Sequence, residues 1–260
     1  VTPLCQRGGA SCGACCGLYN ARDHGRGRVA AVLGRRTERL AGAERTAAGF
    51  RAAAAGPEPE PLFPSVRVCP LLGWLDESRT RVGCLAHPAA TGGPDLRDAG
   101  AYDARTCEAF LCPSHAWLSE EEADMVAELC AGDPWLYGLV VTDVPFVRAV
   151  LGAVAALTGS RVERRHLAAP ALRKALRSLL ALKEDLRPGS DGLYGAFRPG
   201  DGGEPVPRAI DYQALGRPRS PHDDILLSVG ADPRSGNDLD QVEADLGRRL
   251  DRCLRAFPGG

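Results

Sequence analysis

The sequence predicts a mainly α fold, α+β at most, in which an irregular cysteine-rich module precedes a helical half. Three observations predict it. Eight of the ten cysteines fall within the first 112 residues, in stretches punctuated by Gly and Pro. From Ser119 onward, apolar residues recur at helical spacing and the segments are opened by capping and proline signals. One short apolar run, 225–229, reads as a strand, and no internal repeat is visible.

Taken in order, residues 1–20 are poor in core-forming side chains and carry Gly8, Gly9, Gly13 and Gly17, so this loop needs something beyond its own packing to hold it. Residues 28–54 predict helix, with Val29, Val32, Leu33, Leu40 and Phe50 supplying apolar positions. The four prolines in 55–65 exclude a helix interior and mark a linker. Residues 66–115 are irregular, broken by Pro70, Pro88, Pro94, Pro113 and the Gly92-Gly93 turn. Ser119 with Glu122 forms a capping box, and Glu120 and Glu121 suit the positive start of a helix. Further helices are expected over about 144–157 and 170–186, the latter opened by Pro170 and ended by Pro188, and over about 239–257. Residues 187–222 are Gly- and Pro-rich and are expected on the surface. The chain thus divides into 1–116, a cysteine module with a helical insert and a Pro-rich linker, and 117–260, a mostly helical region packing against it.

Composition excludes several classes of function. Lys plus Arg number 32 and Asp plus Glu 33, a net charge of −1, so nucleic acid is not an expected partner. The longest apolar candidate, 136–157, is broken by Asp143, Pro145 and Arg148 and is not a membrane span. The beginning of the chain has no basic region followed by an apolar stretch, so no signal peptide is expected and the location is cytoplasmic. In that compartment clustered cysteines read as metal ligands more readily than as disulfides.

Cys12-Gly13-Ala14-Cys15 is a CxxC knuckle, whose two-residue spacer lets both thiolates reach one ion from a tight turn, with Gly13 tolerating unusual backbone angles. Cys16 follows directly. Neighbouring side chains point apart, so Cys15 and Cys16 are expected to serve different ions, or one of them to bridge a close pair. Cys107 and Cys112, four residues apart, can also share an ion. Cys69 and Cys84 lie between the knuckles, and Cys5 precedes the first. Eight thiolates satisfy two four-cysteine sites; four satisfy one and leave the others free. His87 and His115 can replace a thiolate in either scheme. Cys130 and Cys253 fall on apolar helix faces and are expected in the core. The expected metal ligands are therefore Cys5, Cys12, Cys15, Cys16, Cys69, Cys84, Cys107 and Cys112. They would cross-link the module through Zn²⁺ or an iron–sulfur cluster, with two metal sites. Trp74, Trp117 and Trp135 are expected to cover the module and shield its thiolates.

These residues resemble the CxxCxxCC family, also called YkgJ-like and described as zinc- or iron-chelating. Its members open with a CxxCGxCC-like knuckle, followed by a helix and a later stretch of the form GC.IY..RP..CR.FPC. Ser11-Cys12-Gly13-Ala14-Cys15-Cys16-Gly17 matches the CGxCC part, 82–88 resembles the GC.IY..RP part, and 107–113 resembles the CR.FPC part. Three departures stand out: Cys5 lies seven residues before Cys12, His87-Pro88 replaces Arg-Pro, and the stretch to Cys107 is long. The resemblance covers about residues 5–113 and implies metal binding. It names no substrate and no partner.

Other clusters carry less. His222-Asp223-Asp224 reads as a turn, 228–236 as a surface turn rather than a nucleotide loop, and Arg161, Arg164, Arg165 and His166 as a solvated basic face. The sequence thus points to a metal-binding cysteine-cluster protein of undefined cellular role, with an iron–sulfur redox protein, or an enzyme using the cluster, as the alternative.

Overall fold

The computed structural model describes residues 3–184 and 195–258. The chain is mainly helical, with two small antiparallel hairpins. Helix α1 (Arg26–Ala41) is followed after a short break by α2 (Ala47–Ala54). The expected single helix over 28–54 is interrupted because Thr46 caps a new one, its hydroxyl accepting the Gly49 N–H at 3.0 Å. Strands β1 (Leu72–Trp74) and β2 (Val82–Cys84) pair antiparallel in the register Gly73↔Gly83. The hairpin is fixed to α1 by the Trp74 N–H, which donates to the Thr37 hydroxyl at 2.8 Å. Three short helices follow: α3 (Pro88–Thr91), α4 (Ala104–Ala109) and α5 (Ser114–Trp117).

Ser119 opens α6 (Glu120–Leu129) with both halves of the capping box in place. Next come α7 (Pro134–Val141) and α8 (Val144–Thr158), each with Pro in its first turn and an Asp, 133 or 143, capping it. Helix α9 (Pro170–Leu180) gives way to a tighter turn over Ala181–Glu184, and the expected stop at Pro188 lies outside the described residues. Of the segment expected to wander over 187–222, the described part forms the hairpin of β3 (Phe197–Pro199) and β4 (Pro205–Pro207). The strand expected at 225–229 is instead a turn of helix, α10 (Asp223–Ser228), whose Ile225 and Leu226 are both buried. Helix α11 (Gly236–Ala256) closes the chain against α9 and α8. Among the described residues, no helix is long and apolar enough to cross a membrane.

The main core draws on both sides of the expected boundary at residue 116. Leu4, Ala10, Cys12, Leu18, Val29, Leu33, Leu72 and Val82 pack in one cluster with α6, α7, α8, α9 and α11. Polar groups reinforce this junction. Arg7, itself buried, pairs with Glu120 and, at 2.7 Å, with Asp124. The Tyr137 hydroxyl donates to the Leu4 carbonyl at 2.7 Å, and the Tyr19 hydroxyl to the Trp135 carbonyl at 2.9 Å. The first twenty residues, expected to lack packing of their own, are therefore well anchored. A second cluster, of Leu40, Phe50, Ala54, Cys69, Leu71, Ala86, Leu96 and Ala99, lies under the hairpin and α2.

Candidate metal centre

The eight N-terminal cysteines arrive on four stretches of chain: 5–16, 69, 84 and 107–112. Their local geometry begins in the turn Ala14–Cys16, a single tight helical turn that ends at Gly17 with φ +76°. A Cβ on Gly17 would lie 2.4 Å from the Arg67 carbonyl oxygen, so the left-handed angle and the close approach both demand glycine. Gly13 serves a different purpose from the one expected. Its φ is an ordinary −119°, and what excludes a side chain there is Leu72, 2.4 Å from where a Cβ would sit.

Backbone hydrogen bonds tie the stretches together. The Cys12 N–H donates to the Cys5 carbonyl at 3.1 Å, which brings Cys5 beside the knuckle despite its long spacing. The Cys69 N–H donates to the Cys16 carbonyl at 2.9 Å, and β-pairing sets Leu72 opposite Cys84. Electrostatic influence among the eight thiols is uneven. Cys12 is influenced by Cys5 and Cys112, Cys5 by Cys112, and the Cys15 thiol hydrogen-bonds the Cys112 sulfur. Cys16 is influenced by Cys69, Cys84, Cys12 and Cys107 and itself acts on Cys15, while Cys84 is influenced by Cys69 and Cys107, and Cys107 by Cys69. Most of these influences fall among Cys5, Cys12, Cys15 and Cys112 or among Cys16, Cys69, Cys84 and Cys107, and Cys16 links the two groups through Cys12 and Cys15. Adjacent Cys15 and Cys16 fall in different sets, as do Cys107 and Cys112, whose spacing also permits a shared ion.

Burial and mutual repulsion raise most of these thiols. Cys12, fully enclosed, is pushed up to about 12, and Cys84 to about 11. Burial also raises Cys5, Cys16 and Cys107. Cys15 is raised by the hydrogen bond it donates to Cys112, then by burial, while Cys112 is lowered as the acceptor of that bond. Opposing the burial, three sulfurs accept a backbone N–H from two residues on: Cys12 from Ala14 at 3.3 Å, Cys84 from Ala86, and Cys112 from Ser114. The buried Ser114 hydroxyl donates to Cys112 as well. Such bonds favour the thiolate, the form that ligates metals. The Arg97 guanidinium, held by Asp95 at 2.6 Å, favours the thiolates of Cys84 and Cys107 in the same way.

Among the described residues, no three His, Cys, Asp or Glu side chains already form a closed metal-sized group. His115 lies close enough to favour the Cys112 thiolate, and its Nε2 is buried without a hydrogen-bond partner. The His87 backbone N–H donates to the Cys84 carbonyl at 3.2 Å, while its Nδ1 accepts the Ala89 N–H as the cap of α3.

The remaining candidates have structural work. Cys130 and Cys253 are buried in the main core. Trp135 is a core residue whose indole N–H donates to the His24 carbonyl at 2.9 Å, and Trp117 is 59% exposed, so neither shields the thiols as expected. Arg164 pairs with Asp124 and Glu128, and Asp223 accepts from Tyr212 and Arg219. Comparison with family models, with curated proteins and with solved structures finds no match to this chain.

Proposed function

We propose that the chain is a metal-binding protein with two four-cysteine sites, Cys5/Cys12/Cys15/Cys112 and Cys16/Cys69/Cys84/Cys107. The observation that carries this reading is that most of the mutual influence among eight thiols from four stretches of chain falls within two groups of four, with Cys16 also linked to Cys12 and Cys15. Clustered thiols that repel one another are unfavourable unless they keep their protons or gain a cation. Amide hydrogen bonds at Cys12, Cys84 and Cys112 favour the deprotonated state. The metal would supply the positive charge and draw each set inward. The unpartnered His115 Nε2 is one further nitrogen beside the first set.

Either zinc or an iron–sulfur cluster accepts four thiolates, and a structural zinc is the reading put to the test. With Zn–S near 2.3 Å, two thiolates on one tetrahedral ion sit about 3.8 Å apart. The Cys15 thiol hydrogen-bonds the Cys112 sulfur, a closeness that one zinc ion, or one iron of a two-iron cluster, accepts. The likeness of 12–17, 82–88 and 107–113 to the CxxCxxCC family agrees with chelation of either metal. The cytoplasm, a reducing compartment, would keep the ten thiols free. The role is structural: the first set joins the N-terminal loop to the start of the helical half.

Anaerobic purification followed by elemental analysis tests the assignment. The expected product is colourless and carries zinc. A brown product carrying iron and acid-labile sulfide would replace zinc by the iron–sulfur redox alternative, and a chain purified without metal would end both.

A further inference from the structure

We propose that a cleft between the loop 17–23, α1 and the segment 58–68 binds a small oxyanion, a carboxylate or a phosphate, with Arg36 as its inner donor and Arg28 at its mouth. The proposal is independent of the two-site reading. Leu18 and Ala21 line the cleft from the loop, Val29 and Val32 from α1, and Pro59 and Val68 from the segment beyond it. The space between them is about 300 Å³, open mouth included, but its enclosed inner part admits only a water-sized group. That size suits one oxygen of an anionic headgroup and excludes a ring.

The carrying observation is the state of Arg36, which lines this cleft and is only 2% exposed. Its Nε and Nη2 donate to Glu58, Nε at 3.0 Å, and Arg39 shares the same carboxylate at 2.8 Å. One carboxylate therefore answers two guanidiniums. Two of their donors, Nη1 of Arg36 and Nε of Arg39, are buried without a hydrogen-bond partner. A buried cationic donor left unmade is costly, and a guanidinium with one edge occupied still presents N–H groups suited to an oxyanion. Arg28 also lines the cleft, is exposed, and makes no hydrogen bond or ion pair among the described residues.

The opposing charge is Asp23, which lines the cleft as well and whose Oδ1 accepts the Gly25 N–H at 3.3 Å. Three guanidiniums, of Arg28, Arg36 and Arg39, thus meet two carboxylates, of Glu58 and Asp23, and one positive charge is left over. A single water would cap Nη1 and leave that charge unanswered; an oxyanion answers both. The walls are set before any ligand arrives. The Asn20 side chain donates to the Phe63 carbonyl at 3.0 Å and the Val66 carbonyl at 2.8 Å, and accepts the Phe63 N–H at 2.7 Å. Glu58 fixes the other end of the segment to α1. Binding then spends little on ordering the site.

The test titrates the full chain with sodium phosphate and, separately, with sodium acetate by isothermal titration calorimetry, the ionic strength being held constant with a bulky sulfonate salt. Saturable binding of one anion per chain is expected for at least one of the two, and the one that binds names the ligand class. Arg36→Lys keeps the charge beside Glu58 but removes Nη1, and should weaken binding at least tenfold. If this variant lacks the wild-type far-UV circular dichroism, Arg28→Gln decides instead, since it breaks no hydrogen bond or ion pair among the described residues; binding at least threefold weaker is expected at an unchanged thermal midpoint. Absence of saturable binding by both anions would overturn the site and leave water as the partner of Nη1. Unchanged affinity in the deciding variant would overturn it too, by placing the anion elsewhere on the surface.

Discussion

At the residue scale, the backbone around the cysteines is as specific as the cysteines themselves. Gly17 ends the turn that separates Cys15 from Cys16, and it combines a left-handed backbone with a carbonyl where a side chain would go. Gly17→Ala should cost at least about 1–2 kcal/mol from the backbone angle, and more from the clash with Arg67. Urea denaturation would measure it; an unchanged midpoint would contradict the geometry. The sequence announced the CxxC and the adjacent pair, and the adjacency argument, that neighbouring thiols point apart, needs only covalent geometry. It left open whether Cys107 and Cys112 share an ion, because that depends on where a distant hairpin places Cys84. Nor could it reveal the N–H···S bonds. In retrospect a small residue two positions after Cys12, Cys84 and Cys112 (Ala14, Ala86 and Ser114) is the signal that goes with them.

At the scale of elements, legibility followed the strength of local signals. The start of α6 was readable because Ser119 and Glu122 each satisfy an otherwise unpaired N–H. Ser119→Ala should lower stability by about 1 kcal/mol, read as a drop in the thermal midpoint, and Ser119→Asp should restore most of it. A neutral Ser119→Ala would mean that the cap is not satisfied by this hydroxyl. Helices α9 and α11 were readable from their one-sided apolar stripes. The run 225–229 was misread because four or five apolar residues do not distinguish a buried strand from a buried helical turn; Asp223 and Asp224 in the first turn favour the helix. The β1–β2 hairpin was missed because Gly73 and Gly83 occupy the centres of its strands, and glycine carries no strand signal.

At the scale of the whole molecule, the cysteine region is less autonomous than its composition suggests. Leu4, Cys12, Leu18 and Val29 belong to the same core as α6 to α9 and α11, and Arg7 and Tyr137 bond across the junction. The expectation of a module with little packing came from counting apolar residues in a Gly-rich stretch, which cannot show that the few present are buried against a partner far along the chain. On the proposed two-site reading, metal would serve to close the thiol sets rather than to fold the region. The measurement that bears most directly on the two-site claim is the number of zinc ions per chain in the wild type and in single-cysteine variants. The account predicts two in the wild type, one in Cys15→Ser and one in Cys16→Ser, and two in Cys130→Ala and Cys253→Ala. A single ion in the wild type with four or more reactive N-terminal thiols, or loss of metal in Cys253→Ala, would contradict it.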